Sequence, residues 1–385
     1  MDDKINNMYK KEEMVIFEEY QNAYILPRLI KNDGPGWGLG GVLESSKKFV
    51  ELSAYHGGWI DQGGYYDFND FEENNDHVIY MGLFFKHWGH FLVDLLPRLW
   101  FVSSYPETAK KCKIAYIGEE KPDGNYLLLL NLLGIKEEQL IHITKPTLFN
   151  KVIVPAYSCR PCIWFTDEYV KMFDTIVKNA LKDYIVPNDF KNIDKVYFSR
   201  TAFSKAKKTE FGEKMIEQVY KENGYNILYP EKLTLFDQIY IWNKAEHIAC
   251  LNGSIPLNLV FCMNKNLKID ILNKTSAVHL NLYLYLLMRE VTYNYIQVYL
   301  EPYKFFTPSL GAGPFLLSIT SEFRNYLNAN NLNNNYSIYT IYINNIVHFI
   351  KYTYYIVNPI HHIKMLIYPL YKRIKNRGNN ENNSY

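Results

Sequence analysis

In the stretch KHWGHFLVDLLPRLW, Lys86 to Trp100, the residues His87, His90, Asp94 and Arg98 recur at intervals of three, four and four. In an α-helix those intervals place all four side chains on one face. Phe91, Leu92, Leu95, Leu99 and Trp100 supply the apolar cover. Pro97 predicts a kink near Val93, because it removes one helical hydrogen bond. Three chemistries fit this face. Asp94 and Arg98 form an ion pair beside satisfied histidines, or His87, His90 and Asp94 bind zinc, since two imidazoles and a carboxylate suit that ion. The zinc reading lacks the H-E-x-x-H order. In the third, Asp94 or His90 takes a proton as a general base while a cation holds a negative ligand.

A second constellation favours the third reading. In YFSR, Arg200 ends a strand and is followed by Lys205, Lys207 and Lys208; arginine suits bidentate contact with phosphate oxygens. In ACLNGSIPLNLVF, Asn252, Gly253 and Ser254 form a small-residue turn between a strand and a helix, and a helix N-terminus attracts anions. Both features lie at strand ends, which predicts a nucleotide-diphosphate site.

The elements that must carry these residues read as α/β. Strands are predicted at KIAYIG, QLIHIT, KVIVPAY, KVYFSR, YNILYP, HIACLNG and LKIDILN. Helices are predicted at NYLLLLNLLGI, DEYVKMFDTIVKNALKDYI, GEKMIEQVYKENG and TLFDQIYIWNKAEH, with Thr234 as an N-cap, and a short one at IPLNLVFC. Strands alternating with helices imply parallel sheets covered on both faces. The expected organisation is an α/β domain over residues 1–185, a second that carries the nucleotide-diphosphate site over 186–300, and an extension over 301–385, with the polar VPNDFKNID segment as the boundary. Near the N-terminus, GPGWGLGG contains a formal G-x-G-x-x-G, but an alternating segment around Val50–Ala54 follows it and reads as a hairpin strand.

With 385 residues, 48% hydrophobic and 21% charged, the chain has room for two cores of an ordinary globular protein. A net charge of +2 does not suggest a nucleic-acid binder. Five cysteines fit reduced thiols, and Cys159-Arg-Pro-Cys162 is a lone CxxC without a second pair. No apolar leader is evident at the N-terminus, and no stretch is long enough to be read as a membrane span, so a cytoplasmic location is expected. Charge is uneven, however. From Phe323 to Asn380 there is no Asp or Glu, only Arg324, Lys351, Lys364, Lys372, Arg373, Lys375 and Arg377. This aromatic, basic tail reads either as helices packed on the body or as a segment peripheral on the inner face of a membrane.

GHFLVDLLPRLW, YFSR, GEKMIEQVYKENGYNILYPEKLTLFDQI and NGSIPLNLVF, in this order and spacing over Gly82 to Asn273, resemble glycosyltransferase family 61. The resemblance implies a GT-B fold of two Rossmann-like domains facing a cleft, a nucleotide-sugar donor and inverting transfer. For the bacterial branch it implies capsule or surface-polysaccharide assembly, with a glycan or lipid-linked glycan as acceptor. By the resemblance His90, Asp94 and Arg98 match the first motif, Arg200 the strand-end arginine, Glu231 and Gln238 the PE-L-s-xx-Q segment, and Asn258 the late asparagine. Leu257 departs from the family pattern, which has histidine there. Leucine donates no hydrogen bond, and this motivates the alternative of a degenerate homologue that binds carbohydrate or nucleotide without turnover.

No D-x-D triplet occurs in the chain, so no metal or other cofactor is expected and protein groups must neutralise the leaving diphosphate. In the expected reaction Asp94 deprotonates the acceptor, with His90 as second candidate. Arg200, Asn252, Gly253, Ser254 and Asn258 bind the donor, Glu231 its ribose, and Arg98, His87 and Gln238 support them.

Overall fold

The computed structural model describes residues 7–57, 60–277, 279–303 and 306–357. In the first half, β1 (Phe17–Leu29), β2 (Leu39–Leu43), β3 (Glu72–Leu83), β4 (Lys113–Ile117), β5 (Leu140–Ile143) and β6 (Thr147–Pro155) form one six-stranded sheet in the order β2-β1-β6-β3-β4-β5. It is mixed: β1 runs antiparallel to β2 and β6, whereas β6-β3-β4-β5 are parallel. Helices α1 (Gly124–Leu132) and α2 (Asp167–Leu181) pack beside it. In α2, Tyr169, Met172, Phe173, Ile176, Val177 and Ala180 recur at intervals of one, three and four and are buried, forming a single apolar stripe.

The second half is built on β7 (Lys195–Phe198), β8 (Asn226–Leu228), β9 (His247–Leu251), β10 (Lys268–Asn273) and β11 (Thr292–Gln297). All neighbours are parallel, in the order β8-β7-β9-β10-β11. Chain order therefore reverses between β7 and β9, and the crevice beyond the carboxyl ends of such strands is where open sheets hold ligands. Helices α3 (Glu213–Glu222), α4 (Leu235–Lys244), α5 (Leu280–Arg289), α6 (Ser321–Ala329) and α7 (Ile338–Val357) accompany it. The Thr234 hydroxyl caps α4 by accepting from the Asp237 N–H, while Asp237 returns the bond.

Strand periodicity divides the core. Val196, Phe198, Ile248 and Cys250 belong to a large cluster continuous with the first sheet through α2 and α4, so apolar packing joins the halves. Tyr197, Ala249 and Leu251 face the other way, into a second cluster under α3 and α6.

The structure departs from the sequence reading in three places. Val50–Ala54 is not a strand; Glu51–Ser53 is a 3-10 turn behind the Gly-rich hairpin. The helix expected at Ile255–Cys262 is a six-residue 3-10 turn, Pro256–Phe261. Lys86–Trp100 is not one helix but a short α-turn at Trp88–His90, a π-helical stretch at Phe91–Leu95, and a new helix from Trp100 to Ser104. Pro97 has no N–H with which to continue the ladder. The Leu96 N–H instead donates to the Phe91 carbonyl, 3.0 Å away, which is the wider π spacing.

Candidate functional site

The π-turn determines which residues share a face. His87, His90 and Asp94 precede or lie within it and stay together, whereas Arg98 follows it and turns into the first half. Arg98 is fully buried, donates to the carbonyls of Pro155, Leu52 (2.7 Å) and Ala54 (2.9 Å), and lies 4.1 Å from the Tyr157 ring centre. It has no ion pair with Asp94 among the described residues, and it braces loops rather than facing the cleft.

Asp94 is 1% exposed, and both its oxygens are engaged. One accepts from the Tyr55 hydroxyl and the other lies 2.7 Å from His90 Nδ1. With Asp94 ionised, that contact puts the proton on His90 Nδ1 and the lone pair on Nε2. Burial, and then Asp94, raises the pKa of Tyr55, which keeps that hydroxyl a donor. His90 keeps 29% of its side chain exposed, 5.5 Å from the Trp37 ring and 4.5 Å from the His87 ring. His87 Nδ1 accepts from the His90 N–H, as an N-cap would; burial and then His90 lower its pKa, favouring neutral imidazole.

His87 is also where the first half meets a cavity of about 380 Å³ at the ends of the second sheet. Arg200, Lys205, Glu210, Gly253, Ser254, Lys274 and His279 line it with His87. Arg200 follows β7 and Lys274 follows β10, so two cations sit at corresponding ends of the strands that flank β9. Glu210 is clamped between them, with Oε2 at 2.8 Å from Arg200 Nε and Oε1 at 3.0 Å from Lys274 Nζ. Burial pushes the Glu210 carboxyl up, but Lys274 and Arg200 outweigh it and leave it below the usual range. Burial lowers the Lys274 pKa against the pull of Glu210. His279 is pushed down to about 4 by burial, so it is neutral near pH 7. Three cations against one carboxylate give the cavity a surplus of positive charge, in surroundings that screen it poorly.

Arg200 is held from behind by Glu213, the first residue of α3. Its Oε1 accepts the Arg200 N–H at 2.9 Å and the Tyr197 hydroxyl at 3.1 Å. Burial raises the Glu213 pKa to about 8. Gly212, with φ +104°, admits this arrangement; a β-carbon there would stand 2.1 Å from the Leu317 carbonyl oxygen.

Several expected ligands lie elsewhere. Asn258 is buried in the seam between the halves: its Oδ1 accepts from Trp88 Nε1 at 2.7 Å, and its Nδ2 donates to Gln238 Oε1 at 3.0 Å. Gln238 passes the chain on to the Pro230 carbonyl. Glu231 is exposed on a 3-10 turn and does not line the cavity. Leu257 is 3% exposed and packs on Gly89, so the residue departing from the family pattern sits in the seam. The short 3-10 turn after Ser254 provides no α-helical N-terminus. Asn252 is buried; its Nδ2 donates to Asn273 Oδ1, while its own Oδ1 has no partner among the described residues. Cys159 and Cys162 are not joined in a disulfide, and the Cys162 thiol donates to Asn281 Oδ1 at 3.1 Å. Among the described residues no three His, Cys, Asp or Glu converge as a metal-binding group.

Lys274, Glu210, Glu213, Tyr55 and His279 were not foreseen. Lys274 was within reach: it follows LKIDILN as Arg200 follows KVYFS. The others come from two-residue strands or helix starts whose partners are set only by tertiary packing.

Residues 88–269 match the family model described as Glycosyltransferase 61, a stretch that begins at the His–Asp turn and ends in β10. The match supports a glycosyltransferase. No curated protein matches the chain.

Proposed function

We propose that the protein is an inverting glycosyltransferase of GT-B type that takes a nucleotide sugar as donor and a glycan as acceptor, on the cytoplasmic side and in surface-polysaccharide assembly. The observation that carries this reading is that the His90–Asp94 pair adjoins, through the neighbouring His87, a cation-lined cavity at the strand ends. His90 Nε2 takes the proton of the acceptor hydroxyl, while Asp94 holds the ring and stabilises the imidazolium that forms. The acceptor oxygen bonds to the anomeric carbon from the face opposite the leaving group. The anomeric C–O bond breaks, and the diphosphate departs with its electron pair into the field of Arg200, Lys274 and Lys205. Full occupation of the Asp94 oxygens makes His90, not Asp94, the proton acceptor in this scheme.

The test is a panel of UDP- and GDP-sugars with nucleotide release as readout. Wild type is expected to release nucleotide from at least one donor. Binding without any turnover would instead support a non-catalytic carbohydrate- or nucleotide-binding protein, the reading that Leu257 motivates.

A further inference from the structure

The outer face of α7 presents an apolar stripe. Tyr339, Ile343, Ile346, Ile350, Tyr354 and Val357 follow intervals of four, three, four, four and three, which align them on one side of the helix. They are between 43% and 73% exposed. The opposite side holds the helix to the protein: Ile341 and Tyr352 are buried, and Tyr355 meets the Phe211 ring at 6.4 Å. A stripe of this size facing water marks an interaction surface.

Charge identifies the occupant. The helix carries Lys351 and no acidic residue, and the sequence beyond Val357 adds Lys364, Lys372, Arg373, Lys375 and Arg377 before its single acid, Glu381. A protein partner needs only the apolar stripe; an apolar stripe continued by cations in sequence matches acyl chains beneath anionic headgroups. No described helix is long and apolar enough to cross a membrane. We propose that the outer stripe of α7 docks the protein on the surface of an anionic bilayer.

The placement has a consequence that rests on the glycosyltransferase reading. α7 packs against the short strands Glu210–Phe211 and Phe315–Leu317. On the first of these, Glu210 turns to the cavity and Phe211 to α7, as adjacent strand residues must. The phosphate-binding cavity is therefore one strand away from the docked helix, suited to an acceptor carried on a lipid.

Co-sedimentation with phosphatidylcholine–phosphatidylglycerol vesicles, against phosphatidylcholine alone, tests the docking. Full-length wild type is expected to bind the anionic vesicles preferentially. Ile346→Asn with Ile350→Asn is expected to lower that binding by at least about tenfold without lowering the melting temperature. Unchanged binding in the double variant would overturn the proposal. So would a lowered melting temperature with no loss of vesicle binding, which would place the chain's own residues 358–385 over the stripe. A wild-type dimer that the variant abolishes, with no vesicle binding by either, would assign the stripe to a second copy and also overturn it. Nucleotide release, measured on the same samples, fails independently if only the transferase reading is wrong.

Discussion

Asp94 and Arg98 differ by one turn of chain and end in different surroundings. Their separation comes from the π-turn that Pro97 closes, which the even spacing of the sequence motif conceals. Asp94→Asn keeps the shape but offers His90 Nδ1 an amide, so transfer is expected to fall about 10²–10⁴-fold while UDP or GDP affinity is unchanged. Steady-state rates and calorimetry separate the two effects; full activity in this variant would reject the His–Asp pair. Arg200→Ala is expected to weaken nucleotide binding about tenfold to a hundredfold, the worth of one charged hydrogen bond, and to cost some stability, because it leaves the buried Glu210 with Lys274 alone. Lys274→Ala should cost more stability than Arg200→Ala, because the Lys274 side chain is 5% exposed against 21% for Arg200, and about 3–5 kcal/mol is the scale for breaking a fully buried pair. Equal melting temperatures for the two variants would contradict this distinction. The placement of His90 beside Asp94 and of Arg200 at a strand end was legible because these spacings are local. Glu210 and Tyr55 were not, since each acquires meaning only from a partner more than a turn of helix away in sequence.

At the scale of elements, the start of α3 couples fold to site. Gly212 supplies the positive φ, Glu213 follows, and Glu213 holds the Arg200 backbone. Gly212→Ala is expected to destabilise the protein by about 2 kcal/mol or more through backbone strain and the close Leu317 carbonyl, and to weaken nucleotide binding with it. Unfolding titrations and calorimetry report the two losses together; a loss of stability alone would uncouple Glu213 from Arg200. Glu213 also makes stability depend on pH. Its folded pKa of about 8 exceeds the ordinary 4.5, so the folded state binds the extra proton between those values. Its contribution is complete below pH 4.5 and is lost as pH rises toward 8. Glu213→Gln should flatten that part of the stability profile, and an unchanged slope would reject the assignment. The parallel strands of the second half were readable from short apolar runs bounded by Gly, Asn and Pro. Val50–Ala54 was misread because a two-residue alternation over five positions also fits a turn with one buried side, and the Pro256 turn was too short for period to distinguish α from 3-10.

In the whole molecule, the halves meet through an apolar core and through the Trp88–Asn258–Gln238 chain. Asn258→Ala is expected to cost about 1–3 kcal/mol by leaving Trp88 Nε1 and Gln238 without their partner, and to leave nucleotide affinity of the folded protein unchanged. A selective loss of affinity would restore Asn258 to the donor site. The alternating α/β plan was visible in the sequence, but the mixed character of the first sheet was not, because β1 and β6 pair across more than a hundred residues. The central claim is that the His90–Asp94 pair and the Arg200–Lys274 cavity act on one substrate. Single-turnover nucleotide release from the productive UDP- or GDP-sugar, in wild type, His90→Gln and Arg200→Ala, tests it most directly. The account predicts release by wild type, with His90→Gln binding donor normally but slowed about 10²–10⁴-fold, and Arg200→Ala weakened mainly in donor binding. Wild-type rates in His90→Gln, or unaltered donor binding in Arg200→Ala, would contradict it.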